Sequence, residues 1–146
     1  MKIVPVDASN LKEYVELSML LFPETVFAEE FDMYAESFKT EKEMGYIYQA
    51  HGKAAGILHL AIRSDYVNGT NTSPVLYVEA IYVLPDYRKR GVGRKLLDFA
   101  ESLAKQKGIS QLASDCLLDN QISERFHKSC GFREEERVIC FVKDVE

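Results

Sequence analysis

Apolar residues return along this chain with two different periods. In "ASNLKEYVELSMLLF" they recur every three or four positions, which predicts a helix with Leu17, Leu20 and Leu21 on one face. Asn10 and Glu13 stand at the spacing of a reciprocal N-terminal cap, and Pro23 ends the helix. Residues 24–43 repeat the pattern as one or two acidic amphipathic helices, where a stripe of Phe27, Phe31 and Tyr34 reads as core packing. The period then shortens to two. "MGYIYQAHG" and "KAAGILHLAIRSDY" read as strands joined in a hairpin at Gly52–Lys53. "VNGTNTSP" is loop, and "VLYVEAIYVL" is the strongest strand of the chain, closed by Pro85. Between Gly93 and Gly108, Leu96, Leu97, Ala100, Leu103 and Ala104 mark another amphipathic helix. "SQLASDCLL" reads as a strand, "DNQISERFHKSCGF" as a helix opening at Asp119 or Asn120 and stopping at Gly131, and "ERVICFVKDV" as a final strand. With "MKIVPV" as a short opening strand, the order β-α-α-β-β-β-α-β-α-β predicts a mixed α/β (α+β) domain.

Composition narrows the classes of function. A length of 146 residues suits a single domain, 1–146, and no repeat or linker divides it. No stretch is apolar enough to span a bilayer, and "MKIVPVDASN" lacks the apolar centre of a signal peptide, so a cytoplasmic protein without a membrane partner is expected. Cys116, Cys130 and Cys140 match no zinc or CxxC spacing; they are expected to be reduced, mostly buried thiols, and no metal site is expected. A formal charge of −5 argues against nucleic acid as a partner and suits a cationic small molecule.

One stretch runs against the acidic balance. "YRKRGVGRKLL", residues 87–97, sets two glycines among Arg88, Lys89, Arg90 and Arg94, between the strongest strand and a helix. The start of a helix offers unpaired N–H groups and a positive dipole end, so this turn is suited to phosphate. It matches neither GxGxxG nor GxxxxGK[ST], and as a turn alone it reads equally as a solvated helix start. Acidic residues attract notice for the opposite reason. Glu79 interrupts the most apolar strand, where a carboxylate is costly unless paired or wet, and Asp115 lies near a strand end.

"RKRGVG" resembles the R/Q-x-x-G-x-G/A signature of the GNAT superfamily of N-acetyltransferases, which binds the pyrophosphate of acetyl-coenzyme A. The preceding "EAIYVLPDYR", and Asn120 followed by an amphipathic helix and Gly131-Phe132, stand where that superfamily has them. The resemblance covers nearly the whole chain. It implies the GNAT fold, a mixed central sheet of about six to seven strands flanked by about four helices. "IRSDYVNGTNTSPVLYVEAIYVLP", "LASDCLLDNQIS" and "GFREEERVICF" are in turn similar to the aminoglycoside 6'-N-acetyltransferases of type 1, where these segments frame the acceptor pocket.

The resemblance implies a division of labour. Acetyl-CoA, the co-substrate, would be held by the backbone of Ile81, Tyr82 and Val83, by the turn Arg88, Lys89, Arg90, Gly91, Val92 and Gly93, and by Asn120. A polycationic amine would meet Phe22, Tyr66, Glu79, Asp115 and Glu136. Glu136 lies in a run of three glutamates that also reads as a solvated face, and Tyr66 by itself is an ordinary loop aromatic. The family typically has tryptophan where this chain has Phe22, which removes an indole N–H from one pocket wall. Glu79 is expected to act as general base, directly or through water, with Asp115 as helper or anchor. Many members carry a tyrosine in the last helix as proton donor to the thiolate; His127 stands there, as acid or as a helix-surface histidine. His51 and His59 read as structural. The expected reaction is direct acetyl transfer to the 6'-amine of an aminoglycoside without an acetyl-enzyme, conferring resistance, in a homodimer whose "VICFV" pairs copies or joins the core. Acetyl transfer to a polyamine, amino acid or protein N-terminus, or non-catalytic acyl-CoA sensing, would use the same turn.

Overall fold

The structure, a computed structural model, describes residues 1–146. Its five strands are β1 (Lys2–Pro5), β2 (Glu43–Ala50), β3 (Lys53–Arg63), β4 (Val75–Val83) and β5 (Leu112–Ala113), side by side in that order. β1 to β4 pair antiparallel, and β5 joins β4 in parallel. The four α-helices are α1 (Leu11–Leu21), α2 (Phe27–Ser37), α3 (Val92–Gln106) and α4 (Gln121–Ser129). The hairpin between β2 and β3 turns at His51 and Gly52, both at positive φ, as a two-residue right-twisted connection requires.

Side chains alternate to the two faces of the sheet, and each face has its own core. Tyr48, Ala50, Leu58, Leu60, Leu76 and Val78 pack with Val92, Leu96, Leu97, Ala100 and Ala104 of α3. On the other face Ile47, Ala54 and Ile57 meet Leu11, Tyr14, Val15 and Leu17 of α1 and Tyr34 of α2. Phe27 and Phe31 pack onto this second cluster, so the aromatic stripe of α2 is core. His59 is also structural: its Nε2 lies 2.9 Å from Glu43 Oε1, and its ring meets Tyr34 and Phe38 edge-on.

Several expectations are corrected. The sheet has five strands, not six or seven. "SQLASDCLL" pairs only at Leu112 and Ala113, and "ERVICFVKDV" forms no strand: no element follows Ser129. Its alternation is strand-like, but a strand exists only with a neighbour, and Ile139, Phe141 and Val142 stand exposed, Phe141 at 91 %. They are not core. Leu20 of α1 is exposed, and the buried face runs through Leu11, Tyr14, Val15, Leu17 and Ser18 instead. Asn10 is the N-cap residue, but the reciprocal cap does not form. Its Oδ1 accepts from the Asp7 amide at 2.8 Å, and Glu13 reaches across to the Ala54 amide at 3.0 Å. The thiols are free, yet Cys116 and Cys140 are exposed and Cys130 half-buried, because the segments that carry them lie at the surface.

Two core positions give opposite stability predictions. Leu96, fully buried between α3 and the sheet, leaves a cavity on Leu96→Ala, with an expected cost of about 2–5 kcal/mol. Tyr14 is equally buried, but its hydroxyl finds no partner in the chain. Tyr14→Phe keeps the ring and its edge contacts with Tyr34 and Phe38, and is expected to raise stability by about 1 kcal/mol. Urea unfolding midpoints check both.

Candidate active site

β4 and β5 part company early. They pair only at Leu76–Leu112 and Tyr77–Ala113, after which β4 runs on to Val83 without a neighbour on that side. Backbone groups facing this gap have no strand partner, and the half-buried Ile81, Tyr82 and Val83 lie along it. A short 3₁₀ turn, Pro85–Tyr87, leads from β4 to the basic stretch and α3. Lys89 takes positive φ, and Gly91, the N-cap residue of α3, sits at φ 81. A β-carbon at Gly93 would come within 2.8 Å of the Phe126 ring, so α3 begins pressed against α4. No side chain caps α3, and its first helical bond is Lys95 N–H to the Gly91 carbonyl at 3.0 Å. The amides of Val92, Gly93 and Arg94 therefore point outward unpaired, a ready cradle for an anionic group.

The basic side chains around this turn are not equivalent. Arg88 donates from Nε to the Val83 carbonyl at 2.8 Å and leans over the Tyr82 ring, 5.2 Å from its centroid. Arg90 lies 5.7 Å over Tyr87. Arg94 donates to the Ser129 carbonyl at 2.6 Å, which ties α3 to the C-terminal end of α4. Val92 is buried, so only its backbone can serve a ligand. Asn120 caps α4, its Oδ1 accepting from the Ser123 amide at 3.1 Å.

Glu79 owes its position to a bulge. His59 faces Ala80 and Leu60 faces Val78, so Glu79 is an extra residue opposite no one, and the interruption re-aims its side chain. The Arg63 guanidinium answers it, Nε at 2.9 Å and Nη2 at 2.6 Å from the same oxygen, Oε1. Arg63 also stacks on Tyr77, 3.6 Å from the ring centroid, and the Tyr77 hydroxyl donates to Asp115 Oδ2. The two carboxylates singled out in the sequence thus belong to one chain of contacts, Glu79–Arg63–Tyr77–Asp115. Burial first, and then the hydrogen bond to Asp115, push the Tyr77 hydroxyl far above its ordinary range, so it remains a donor.

Arg63, Tyr66, Tyr77, Asp115, His127 and Glu136 line one cavity of about 950 Å³. Tyr66 and Glu136 are exposed at its walls. Glu79 is not among the lining residues and reaches the cavity through Arg63; Phe22, the exposed C-cap residue of α1, does not line it at all. The tail carrying Glu136 is held to α4 by Lys128–Glu134 at 3.8 Å and Arg137–Glu124 at 3.7 Å, while Lys128–Glu124 at 2.7 Å lies within α4 and an Arg137–Glu134 pair within the tail. His127 is not a free surface histidine. Its Nδ1 lies 2.7 Å from the Ser123 carbonyl and its Nε2 2.8 Å from Ser114 Oγ, with Phe132 packed edge-on.

The sequence profile of the acetyltransferase (GNAT) family matches residues 11–132. The chain belongs to the GNAT family. Among GNAT relatives it is 40% identical to aminoglycoside N(6')-acetyltransferase type 1 of Acinetobacter genomosp. 13, over 99% of both chains. The solved structure of the 6'-N-acetyltransferase AAC(6')-IG of Acinetobacter haemolyticus, in its apo form, superposes with a TM-score of 0.92 at 36% identity over 100% of both chains. AAC(6')-Iy, in complex with the bisubstrate analog CoA-S-monomethyl-acetylneamine, superposes with a TM-score of 0.94 at 33% identity over 99% of this chain and 98% of that one. No helix of this GNAT chain is long and apolar enough to cross a membrane.

Burial holds the hydroxyls of Tyr14, Tyr34, Tyr46 and Tyr77 above their usual range. An unfolded chain releases these protons near about pH 10. The folded chain keeps them, so the contribution to stability is complete below about pH 10 and is lost as pH rises further. The urea midpoint is expected to fall between about pH 9 and about pH 11, and the fall to be shallower in Tyr77→Phe.

Proposed function

We propose that this chain transfers the acetyl group of acetyl-CoA to the 6'-amino group of aminoglycosides by direct attack, and so confers resistance to them. The observation that carries this reading is the pairing of a cationic donor turn with a carboxylate-lined acceptor cavity at one gap in the sheet. Similarity to the type 1 enzymes, and to AAC(6')-Iy with its bisubstrate analog, supports it.

The donor side fits a long anionic ligand. The unpaired amides of Val92, Gly93 and Arg94, with Lys89 and Arg90 beside them, would hold a pyrophosphate, and Arg88 and Asn120 would add further contacts to the cofactor. The open edge at Ile81, Tyr82 and Val83 would pair with the amide-bearing arm. Acetyl-CoA, when bound, supplies an activated acetyl group, so holding the two substrates together accounts for much of the acceleration.

On the acceptor side Asp115 and Glu136 take ammonium groups by charge-assisted hydrogen bonds, and Tyr66 gives apolar surface to the rings. Glu79 acts as base through Oε2, the oxygen that Arg63 leaves free, directly or through water, with Asp115 as helper. His127 supplies the proton that the leaving thiolate needs. The 146 residues work as one domain of a cytoplasmic homodimer, in which the exposed Val138, Ile139, Phe141 and Val142 pair with a second copy.

Steady-state assays with kanamycin or tobramycin, detecting free thiol, test the reading. Glu79→Gln is expected to lower kcat/KM by roughly 10²-fold and to shift its acid limb. Turnover of polyamines or peptides with no aminoglycoside accepted would overturn the assignment. Sedimentation should give a dimer for the wild type and a monomer for Val142→Asp.

A further inference from the structure

Ser114 follows the last residue of β5, where the gap beside β4 opens, and its hydroxyl meets His127 Nε2 at the wall of the cavity both residues line. We propose that Ser114 and His127 form a two-member proton relay, in which Ser114 Oγ delivers the proton to the leaving thiolate. This rests on the reading of His127 as the proton source and names the atom through which it acts.

The hydrogen bonds fix the directions of transfer. The Ser123 carbonyl oxygen, 2.7 Å from Nδ1, can only accept, so Nδ1 carries a proton in either charge state of the ring. In the neutral ring Nε2 is then an acceptor, and the Ser114 hydroxyl points at it across 2.8 Å. In the imidazolium Nε2–H donates to Ser114 Oγ over the same distance, and the serine O–H is released to point elsewhere. Both states are satisfied without movement of a heavy atom. A hydrogen bond serving only to fix the ring would not need the hydroxyl at the cavity wall. Phe126 and Phe132 pack against the ring edge-on, which holds it in place. The charged groups sharing the cavity with the pair are Arg63 at the end of β3, Asp115 after β5, Glu101 and Lys105 on α3, Glu124 and Lys128 on α4, and Arg133, Glu134, Glu135, Glu136 and Arg137 on the tail.

The step balances. As the tetrahedral adduct collapses, the C–S bond breaks and its electron pair goes to sulfur. The Ser114 O–H proton passes to the thiolate, the Nε2–H proton passes to Ser114 Oγ, and the ring is left neutral. It takes up a proton from solvent before the next turnover. The amine proton leaves separately, through Glu79 or Asp115.

Two measurements test the relay on the full chain. By ¹⁵N NMR of the wild type at alkaline pH, His127 should show the tautomer with Nδ1 protonated and Nε2 bare; the opposite tautomer would overturn the proposal whatever the substrate is. In kinetics, Ser114→Ala should lower kcat by roughly 10²-fold with the KM for acetyl-CoA within about twofold, and abolish the alkaline limb of kcat; Ser114→Thr should restore both. An unchanged kcat in Ser114→Ala, or a change confined to KM, rules the relay out. So does acetylation of Ser114 seen by intact mass after incubation with acetyl-CoA alone, which would make the serine a nucleophile. A wild type that acetylates another amine but no aminoglycoside refutes the substrate assignment and leaves both relay tests standing.

Discussion

Two strands that pair for two residues and then separate create the condition on which the rest of this molecule depends. A parallel ladder satisfies backbone groups on both its strands, and here it ceases while β4 still has six residues to run. The edge so exposed lies inside the fold, flanked by α3 and α4, rather than at a border of the sheet where another chain could attach freely. The gap stays open because its walls are fixed elsewhere: α3 by the apolar face that includes Leu96 and Ala100, and α4 by Arg94 and by ion pairs to the tail. A ligand that brings its own amide groups completes the interrupted ladder, as added strands do in peptide recognition.

Charge is partitioned along that gap. Positive groups and helix-end amides gather at one end, carboxylates at the other, and the two substrates expected there carry opposite charge. Cations stand within the acidic region too, each paired with a carboxylate, and Arg63 is the one that answers Glu79. Stacked on Tyr77 and bonded to Glu79, it keeps a half-buried carboxylate from standing alone in the absence of substrate. An incoming ammonium meets a carboxylate already half-satisfied, with one oxygen engaged and one open.

Periodic elements were legible in the chain, and elements requiring a distant partner were not. The β2–β3 hairpin and the buried face of α3 follow from local alternation and local spacing, although the turn lies one residue earlier than expected, at His51–Gly52, and Leu103 is only half-buried. The capping pair Asn10 and Glu13 failed because Glu13 is drawn to an amide 41 residues away. The last strand failed because no edge of this chain receives it. Within the site, Glu79 was conspicuous as a charge in an apolar strand. The bulge that holds it depends on register with β3, which the chain alone does not display. Arg63 and Tyr77 carry no such local mark. The only local hint was the two-residue interval between Tyr77 and Glu79, which places both on one face in a regular strand.

The unpartnered position of Glu79 also bears on how such a protein changes over generations. Point substitutions there alter chemistry and leave the strand in place. Loss of the residue altogether would let Ala80 close up beside Val78 and return β4 to regular pairing, with Ala80 still opposite His59 and Ile81 to Val83 keeping the faces they share with their partners on β3. A single codon deletion could thus leave a sheet that still folds, with its donor edge in place, while removing the base, whereas most deletions inside a central strand threaten folding first. Inheritance of the activity and inheritance of the scaffold are separable at this one position.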